Sequence, residues 1–332
     1  MNAPQIRIHV SDVGVSVTQQ RPDVTSLLRG LPVDEALLRI PLLLPICGQA
    51  QAIAAKRAIQ AADGNAERQN SAHDLALYKE QAVAAAWRLA IDWPSLIEHE
   101  RRLDLLKSVQ DALEPADIAR QLLAFVPALV AVDTAADLEQ WLTSSECTAA
   151  EVIRHARRCE QGMHTPARNC LKEAALCALV EQYLATDVFD PLSIEHKGIE
   201  VGPLALQRHP LLAASPEAAL SQRLVAQLLD TVQIARQLSD APRESQHGRT
   251  LFKGLGLGQA MTARGPVYHR VGLGPERTVS DWRILAPTDW HFSPTGPFLQ
   301  EAQACTNREQ LHLLAAGFDP CAPWTVEAQQ HA

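Results

Sequence analysis

Two cysteines stand where a thiol could bind a metal or act as a nucleophile. Cys47 follows the apolar run Ile40 to Ile46, closed by Pro45, and with Gly48 it opens an Ala-rich segment of helix-forming composition. A thiol at a helix mouth faces unpaired backbone N–H groups and the positive end of the helix dipole, both of which favour the thiolate. Cys321 lies in Phe318-Asp319-Pro320-Cys321, eleven residues before the C-terminal Ala332, where a chain end can tuck back against a core. The two are expected to form one site. Weighed against this is the commoner fate of a lone cysteine, a buried small hydrophobe.

Other candidates carry less chemistry. Gly254-Leu255-Gly256-Leu257-Gly258 has the look of a phosphate-cradling loop, but it lacks a clear preceding strand, a Lys-Ser/Thr pair and a βαβ setting. His99, His155 and His164 show no ligand-like spacing with one another or with cysteine and are expected on the surface or in the core. Cys159, Cys170 and Cys177 fall on helical segments and are accounted for as buried small side chains.

The elements that must position the two cysteines are mainly helical. Gln5 to Gln19 alternates apolar and polar residues around Ser11-Asp12-Val13-Gly14, the pattern of a β-hairpin. Val33–Leu38 forms a short helix after Pro32. Helices are then expected over Ala50–Ala62, Ala66–Ala90, Ser95–Leu113 and Ala116–Val132, with Pro127 kinking the last. Further helices fall near Ala149–Cys159 and Pro166–Ala185, N-capped by Thr148 and Thr165. Phe189 to Pro210 is an irregular connector, and Pro216–Leu238 a long helix. Gly248 to Gly296 is rich in Gly and Pro and holds a strand at Trp282–Leu285, before helices at Pro297–Ala304 and Arg308–Ala316. No fixed-period repeat or low-complexity linker divides the chain. The expected architecture is therefore a single domain, residues 1–332: a mainly α (α+β) helical body with a small N-terminal hairpin and minor strands in the C-terminal third.

Composition narrows the function classes. The chain is 47% hydrophobic and 20% charged, with a formal charge of -8, which speaks against a nucleic-acid or anionic-membrane surface. The longest apolar runs, Ile40–Ile46 and Leu122–Val132, are interrupted by proline and fall short of a membrane span. No basic region followed by an apolar stretch marks a signal peptide, so a cytoplasmic location is expected. Seven cysteines at irregular spacing, without a C-x-x-C pair, suit a reducing compartment.

Five stretches in register resemble the large subunits of [NiFe] hydrogenases. Leu28-Arg29-Gly30 followed by Pro45-Ile46-Cys47-Gly48 resembles their Arg-Gly turn and Cys-Gly-x-Cys loop. Glu200-Val201-Gly202-Pro203-Leu204-Ala205 is similar to an internal Val-Gly-Pro-Leu-Ala segment, and Ala263-Arg264-Gly265 with His269 to a Pro-Arg-Gly-x-x-x-His turn. Ala286-Pro287-Thr288-Asp289-Trp290 resembles Pro-Thr-Thr-Trp-Asn, and Phe318–Cys321 the terminal Asp-Pro-Cys-x-x-Cys. The departures matter as much. The family's second cysteines would fall at Ala50 and Trp324, its histidine and closing basic residue at Ala54 and Glu327, and its proton-transfer acid at Pro32. The chain is also far shorter than a catalytic large subunit and, ending at Ala332, is expected to lack the cleavable extension of the precursors. It therefore resembles most the truncated, large-subunit-like accessory proteins of hydrogenase operons, the HupK/HoxV type.

The resemblance implies a non-enzymatic maturation scaffold. A nickel–iron centre needs four thiolates, and Cys47 and Cys321 supply two, so no nickel is expected. An Fe(CN)2(CO) moiety, whose iron already carries three diatomic ligands, needs few protein donors and is the expected transient cargo. Arg264 and Thr288, with Pro287 beside it, hold positions whose family counterparts face the cyanide ligands, offering charged and hydroxyl donors. The implied partners are a small HypC-like assembly chaperone with its maturation complex and the hydrogenase large-subunit precursor. The sulfurs of Cys47 and Cys321 are expected on the order of 3–4 Å apart, or as a disulfide when oxidised without metal. The alternative is a metal-free large-subunit mimic that binds maturation chaperones or the small subunit and regulates assembly. Local turn-stabilising roles for Arg264 and Thr288 and a helix-stop role for Asp319 are the plainer readings of those residues.

Overall fold

A computed structural model describes residues 5–65, 75–164, 169–185, 198–206, 209–213, 219–239 and 248–328. The helices among them are α1 (Val33–Leu43), α2 (Gly48–Ala62), α3 (Leu75–Trp87), α4 (Trp93–Leu96), α5 (Leu103–Asp111), α6 (Pro115–Leu123), α7 (Ala135–Ser144), α8 (Thr148–Cys159), α9 (Glu173–Ala185), α10 (Pro203–Leu206), α11 (Pro210–Ala213), α12 (Leu220–Ser239), α13 (Pro287–His291), α14 (Pro297–Ala302) and α15 (Arg308–Phe318). The long α12 forms the axis of the helical core. Leu224, Leu228 and Ile234 are fully buried, and apolar side chains of α3, α6, α8 and α15 join the same cluster. Helices dominate, as the composition indicates.

The hairpin forms as expected, β1 (Gln5–Ser11) pairing with β2 (Gly14–Gln20), and Ile6 and Ile8 face inward. Beyond expectation, Gly248–Gly296 holds a full antiparallel sheet rather than one strand: β3 (Gly248–Phe252), β4 (Leu255–Thr262), β5 (Gly265–Leu273) and β6 (Val279–Leu285), in that order. Its glycines serve helix approach. A Cβ at Gly256 would collide with the Ala58 carbonyl, and one at Gly258 with the Ala54 carbonyl, so β4 and α2 touch backbone to backbone. Another strand not anticipated, β7 (Trp324–Ala328), runs parallel to β1 with Ile6 opposite Trp324. This pairing ties the two chain ends together and fixes the segment that carries Cys321.

Several helix bounds differ from those read in the sequence. The Ser95–Leu113 segment is interrupted because Glu98 takes a left-handed φ of 57°, separating α4 from α5. Ala116–Val132 stops at Leu123, and Ala128, also left-handed at φ 62°, precedes only a short 3-10 turn, Leu129–Ala131. α1 continues past Leu38 to Leu43 with Pro41 inside it. α7 was missed although Thr134 and Asp137 form a capping box, Thr134 Oγ1 accepting from Asp137 N at 3.2 Å. Cys147, not Thr148, sits at the N-cap of α8. The expected cap Thr165, residues 66–74 and half of the Phe189–Pro210 connector lie outside the described residues. α3 passes into a π-helical turn, Arg88–Asp92. No single helix among the described residues is long and apolar enough to cross a membrane; α1 and the Pro45–Ala62 segment satisfy length and composition together but are bent by 96°.

Candidate functional site

Cys47 ends the 3-10 turn Pro45–Cys47 between α1 and α2 and is buried. The expectation that free N–H groups at the α2 mouth would favour its thiolate is overturned. Gln49 N and Ala50 N donate to the Glu80 carboxylate at 2.7 and 3.0 Å. With those donors occupied, burial pushes the Cys47 thiol up to about 12, and Arg264 pulls in the opposite direction.

Arg264 sits in the turn between β4 and β5 and reaches both ends of the chain. Its Nη1 donates to Cys47 Sγ at 3.6 Å, its Nε to the Asp319 carbonyl at 2.8 Å, and its Nη2 lies 3.4 Å from Asp319 Oδ1. Burial opposes its charge, but Asp319, Cys47 and Cys321 hold the guanidinium above its ordinary value. The turn is closed locally, Arg264 N donating to Thr262 Oγ1 at 3.0 Å and Thr262 Oγ1 donating to the Gly265 carbonyl at 2.8 Å. Gly265, with φ at +125°, leaves room for the Val201 carbonyl where a Cβ would collide.

Thr288 addresses the other thiol. Its hydroxyl donates to Cys321 Sγ at 3.1 Å and accepts from Cys321 N at 2.9 Å. Pro287 is the first residue of α13, and its ring lies 3.5 Å from the Cβ position of residue 265, so it walls the turn without offering a donor. The structure thus brings Cys47, Cys321, Arg264, Thr288 and Pro287 together. Neither cysteine is in a disulfide, and Arg264 lies within electrostatic reach of both.

Further charged residues complete the surroundings. Asp319 is the left-handed cap of α15 at φ 45°, and its carboxylate also accepts from Arg88 Nη1 at 2.9 Å. Arg88 is buried, and its Nε and Nη2 have no hydrogen-bond partner among the described residues. One turn on, burial and the Asp319 carboxylate push the Asp92 carboxyl up to about 6, with Arg264 and Arg88 opposing. Both residues belong to the π turn, a feature often found at functional sites. Arg21 pairs with Asp289, and Cys321 lies within its electrostatic reach. Sequence reasoning passed over Arg88, Asp92 and Arg21; the available signal was an arginine inside the apolar Ala84–Ala90 run, which a core admits only when paired.

At the positions where the resemblance put the remaining ligands, Ala50 and Ala54 are fully buried in α2, while Trp324 packs edge-on to His312 at 5.2 Å and Glu327 accepts from Thr325 at 2.7 Å. Pro32 precedes α1.

No family model matches the chain. Curated relatives do. The chain is 31% identical to the hydrogenase expression/formation protein HupV of Azotobacter chroococcum, over 97% of each chain, and 27% identical to HoxV of Cupriavidus necator, over 94% of this chain and 92% of that one. Among solved structures, the NAD+-reducing [NiFe]-hydrogenase in the H2-reduced state superposes with a TM-score of 0.53 at 14% identity, covering 93% of this chain and 92% of that chain. A G491S variant of the [NiFeSe] hydrogenase from Desulfovibrio vulgaris Hildenborough gives 0.51 at 13%, covering 93% of each. The helical body and its sheet thus take the fold of a hydrogenase large subunit, and the near full-length likeness to HupV and HoxV settles the lineage: the chain belongs to the HoxV/HupV/HupK family of hydrogenase expression/formation proteins.

Proposed function

We propose that this protein is a non-catalytic cytoplasmic scaffold of hydrogenase maturation that transiently holds an Fe(CN)2(CO) moiety between Cys47 and Cys321. The observation that carries the reading is that each thiol has its own donor, Arg264 for Cys47 and Thr288 for Cys321, while Asp319 and Arg88 fix the arginine from behind. The thiols would replace protons with iron. Arg264 offers a planar, permanently charged fork and Thr288 a hydroxyl to cyanide nitrogens, which are acceptors only. Asp319, acceptor-only when ionised, keeps the guanidinium from turning away.

Two thiolates match the two that bridge to iron in a complete nickel–iron centre, but without the nickel half of that centre they would hold the moiety less tightly than the final acceptor. That difference gives transfer its direction, from a small HypC-like chaperone to this scaffold and on to the large-subunit precursor. Nickel has no place in this half-site. Infrared spectroscopy of protein purified anaerobically from a host with an active maturation system tests the reading. CN and CO stretches should appear together with iron and without nickel. Folded protein lacking both bands and iron would replace the carrier by the metal-free mimic of the large subunit.

A further inference from the structure

A second cluster of donors lies on α8, far in sequence from both central thiols. Glu151, His155 and Cys159 recur at every fourth residue and so share one helix face. The lack of ligand-like spacing ascribed to His155 is corrected here. Its Nε2 stands 3.5 Å from Cys159 Sγ and 3.0 Å from Glu309 Oε1, in the first turn of α15. One donor atom from each of the three lies within 4.8 Å of the others. A cavity of about 550 Å³ opens beside them, lined by His99, Glu151, Arg154, His155, Arg158 and Glu309 among others. His99 Nε2 is 3.4 Å from Glu151 Oε2, and Arg154 Nη1 is held by the carbonyls of Leu142 and Ser145.

We propose that His155, Cys159 and Glu309 form a binding site for a borderline divalent cation of the zinc class, separate from the Cys47–Cys321 pair. A tetrahedral ion with metal–sulfur near 2.3 Å and metal–nitrogen near 2.0–2.1 Å places those two donors about 3.5 Å apart, the separation seen here. The nitrogen–oxygen separation of 3.0 Å is slightly inside the roughly 3.3 Å of the same geometry, a difference one rotamer adjustment of the exposed Glu309 removes. Imidazole with thiolate selects zinc over magnesium or calcium, whose ligands are oxygens. The fourth position opens to the cavity, where Glu151 or water completes the shell and His99 orients Glu151. A bound ion would clamp α8 to the start of α15, the helix whose other end carries Asp319 and leads to Cys321.

The test uses the full-length Cys47→Ser/Cys321→Ser protein, stripped with chelator, so that the central thiols cannot contribute. Zn2+ is titrated against a chromophoric competitor, and Co2+ is followed by its thiolate charge-transfer absorption. One Zn2+ should bind with Kd below about 1 μM, and Co2+ should give the charge-transfer band. Adding His155→Gln or Glu309→Gln should weaken Zn2+ by more than the roughly 10–100-fold typical of an outer-shell loss, and adding Cys159→Ser should also abolish the band. Glu309 is exposed, so its variant should fold even where Cys159→Ser perturbs packing, which circular dichroism checks. Binding weaker than about 100 μM in the background protein, or equal binding by the His155 and Glu309 variants, overturns the site.

Discussion

His269 belongs to one of the stretches shared with hydrogenase large subunits, and its surroundings assign it to the fold rather than to the cargo. It is fully buried on β5, with Nε2 2.6 Å from Gln51 Oε1 on α2 and Nδ1 accepting from Trp282 Nε1 on β6 at 3.0 Å. The indole can only donate, so Nδ1 must stay unprotonated and Nε2 carries the hydrogen given to Gln51. Charging the ring would set two donors face to face in a dry interior, and burial accordingly pulls its pKa down to about 3. An ordinary histidine takes its proton near about 6.5. Below that pH the unfolded chain binds a proton that the folded chain refuses, so stability falls as pH falls, down to about 3. From about pH 7 to about pH 5 this one residue removes about 2 kcal/mol, at about 1.36 kcal/mol for each pH decade below 6.5. Urea unfolding of the wild type and of His269→Gln at both pH values measures it. The variant should be less stable near pH 7 by about 1–3 kcal/mol for the broken network, with a gap that narrows by about 2 kcal/mol near pH 5. Iron loading should be retained. A gap independent of pH would refute the neutral-histidine argument, and lost loading in a folded variant would move His269 into the site.

Substituting Cys47→Ser or Cys321→Ser exchanges a soft thiolate donor for a hydroxyl that stays protonated at neutral pH, so iron content and infrared bands should vanish while melting temperature barely moves. Arg264→Lys keeps the charge but cannot serve Cys47 and both Asp319 oxygens at once; loading should weaken and residual CN bands shift, as read by infrared spectroscopy. Gly256→Ala should cost more than about 3 kcal/mol or prevent folding, measured by urea denaturation, because the new methyl meets the α2 backbone rather than a movable side chain. Cys170→Ser and Cys177→Ser should leave iron content unchanged by metal analysis; Cys177 Sγ donates to Gln259 Oε1 at 3.7 Å.

What was legible in the sequence, and what was not, divides along the range of the interactions involved. The hairpin and α8 are encoded by local periodicity and formed close to where they were expected. β7 was not readable because its partner is β1, at the other end of the chain, and five residues after a cysteine carry no periodicity of their own. The Gly256/Gly258 pair was visible as unusual but not as a helix contact, since its cause is the Ala54–Ala58 backbone some two hundred residues earlier in the chain. The same distinction governs the site. Cys47, Arg264, Thr288 and Cys321 stand in motifs whose order could be matched, whereas Arg88 and Asp92 depend on a π turn that no composition announces.

The matched motifs also explain why a chain with half of the family's thiolates keeps so much of the surrounding pattern. Glu200 is held by Arg223, which donates to it at 2.8 Å and to Glu301 at 2.5 Å and lies 4.3 Å over the Phe318 ring, immediately before Asp319. Gly265 admits the Val201 carbonyl, and Val201 N donates to His291 Nε2 at 3.1 Å, binding the Glu200–Ala205 segment to α13. Asp289 accepts from Ala286 N at 3.0 Å and pairs with Arg21, steadying the turn that presents Thr288. Each of these residues holds an element that carries Arg264, Thr288 or Cys321, and none of them is itself a thiol. A protein that only displayed a large-subunit surface would need the outer shape but not a buried guanidinium fixed by Asp319 and aimed at Cys47. Asp319 is the anion that lets this guanidinium stay charged in the interior, and it leaves Nη1 aimed at Cys47.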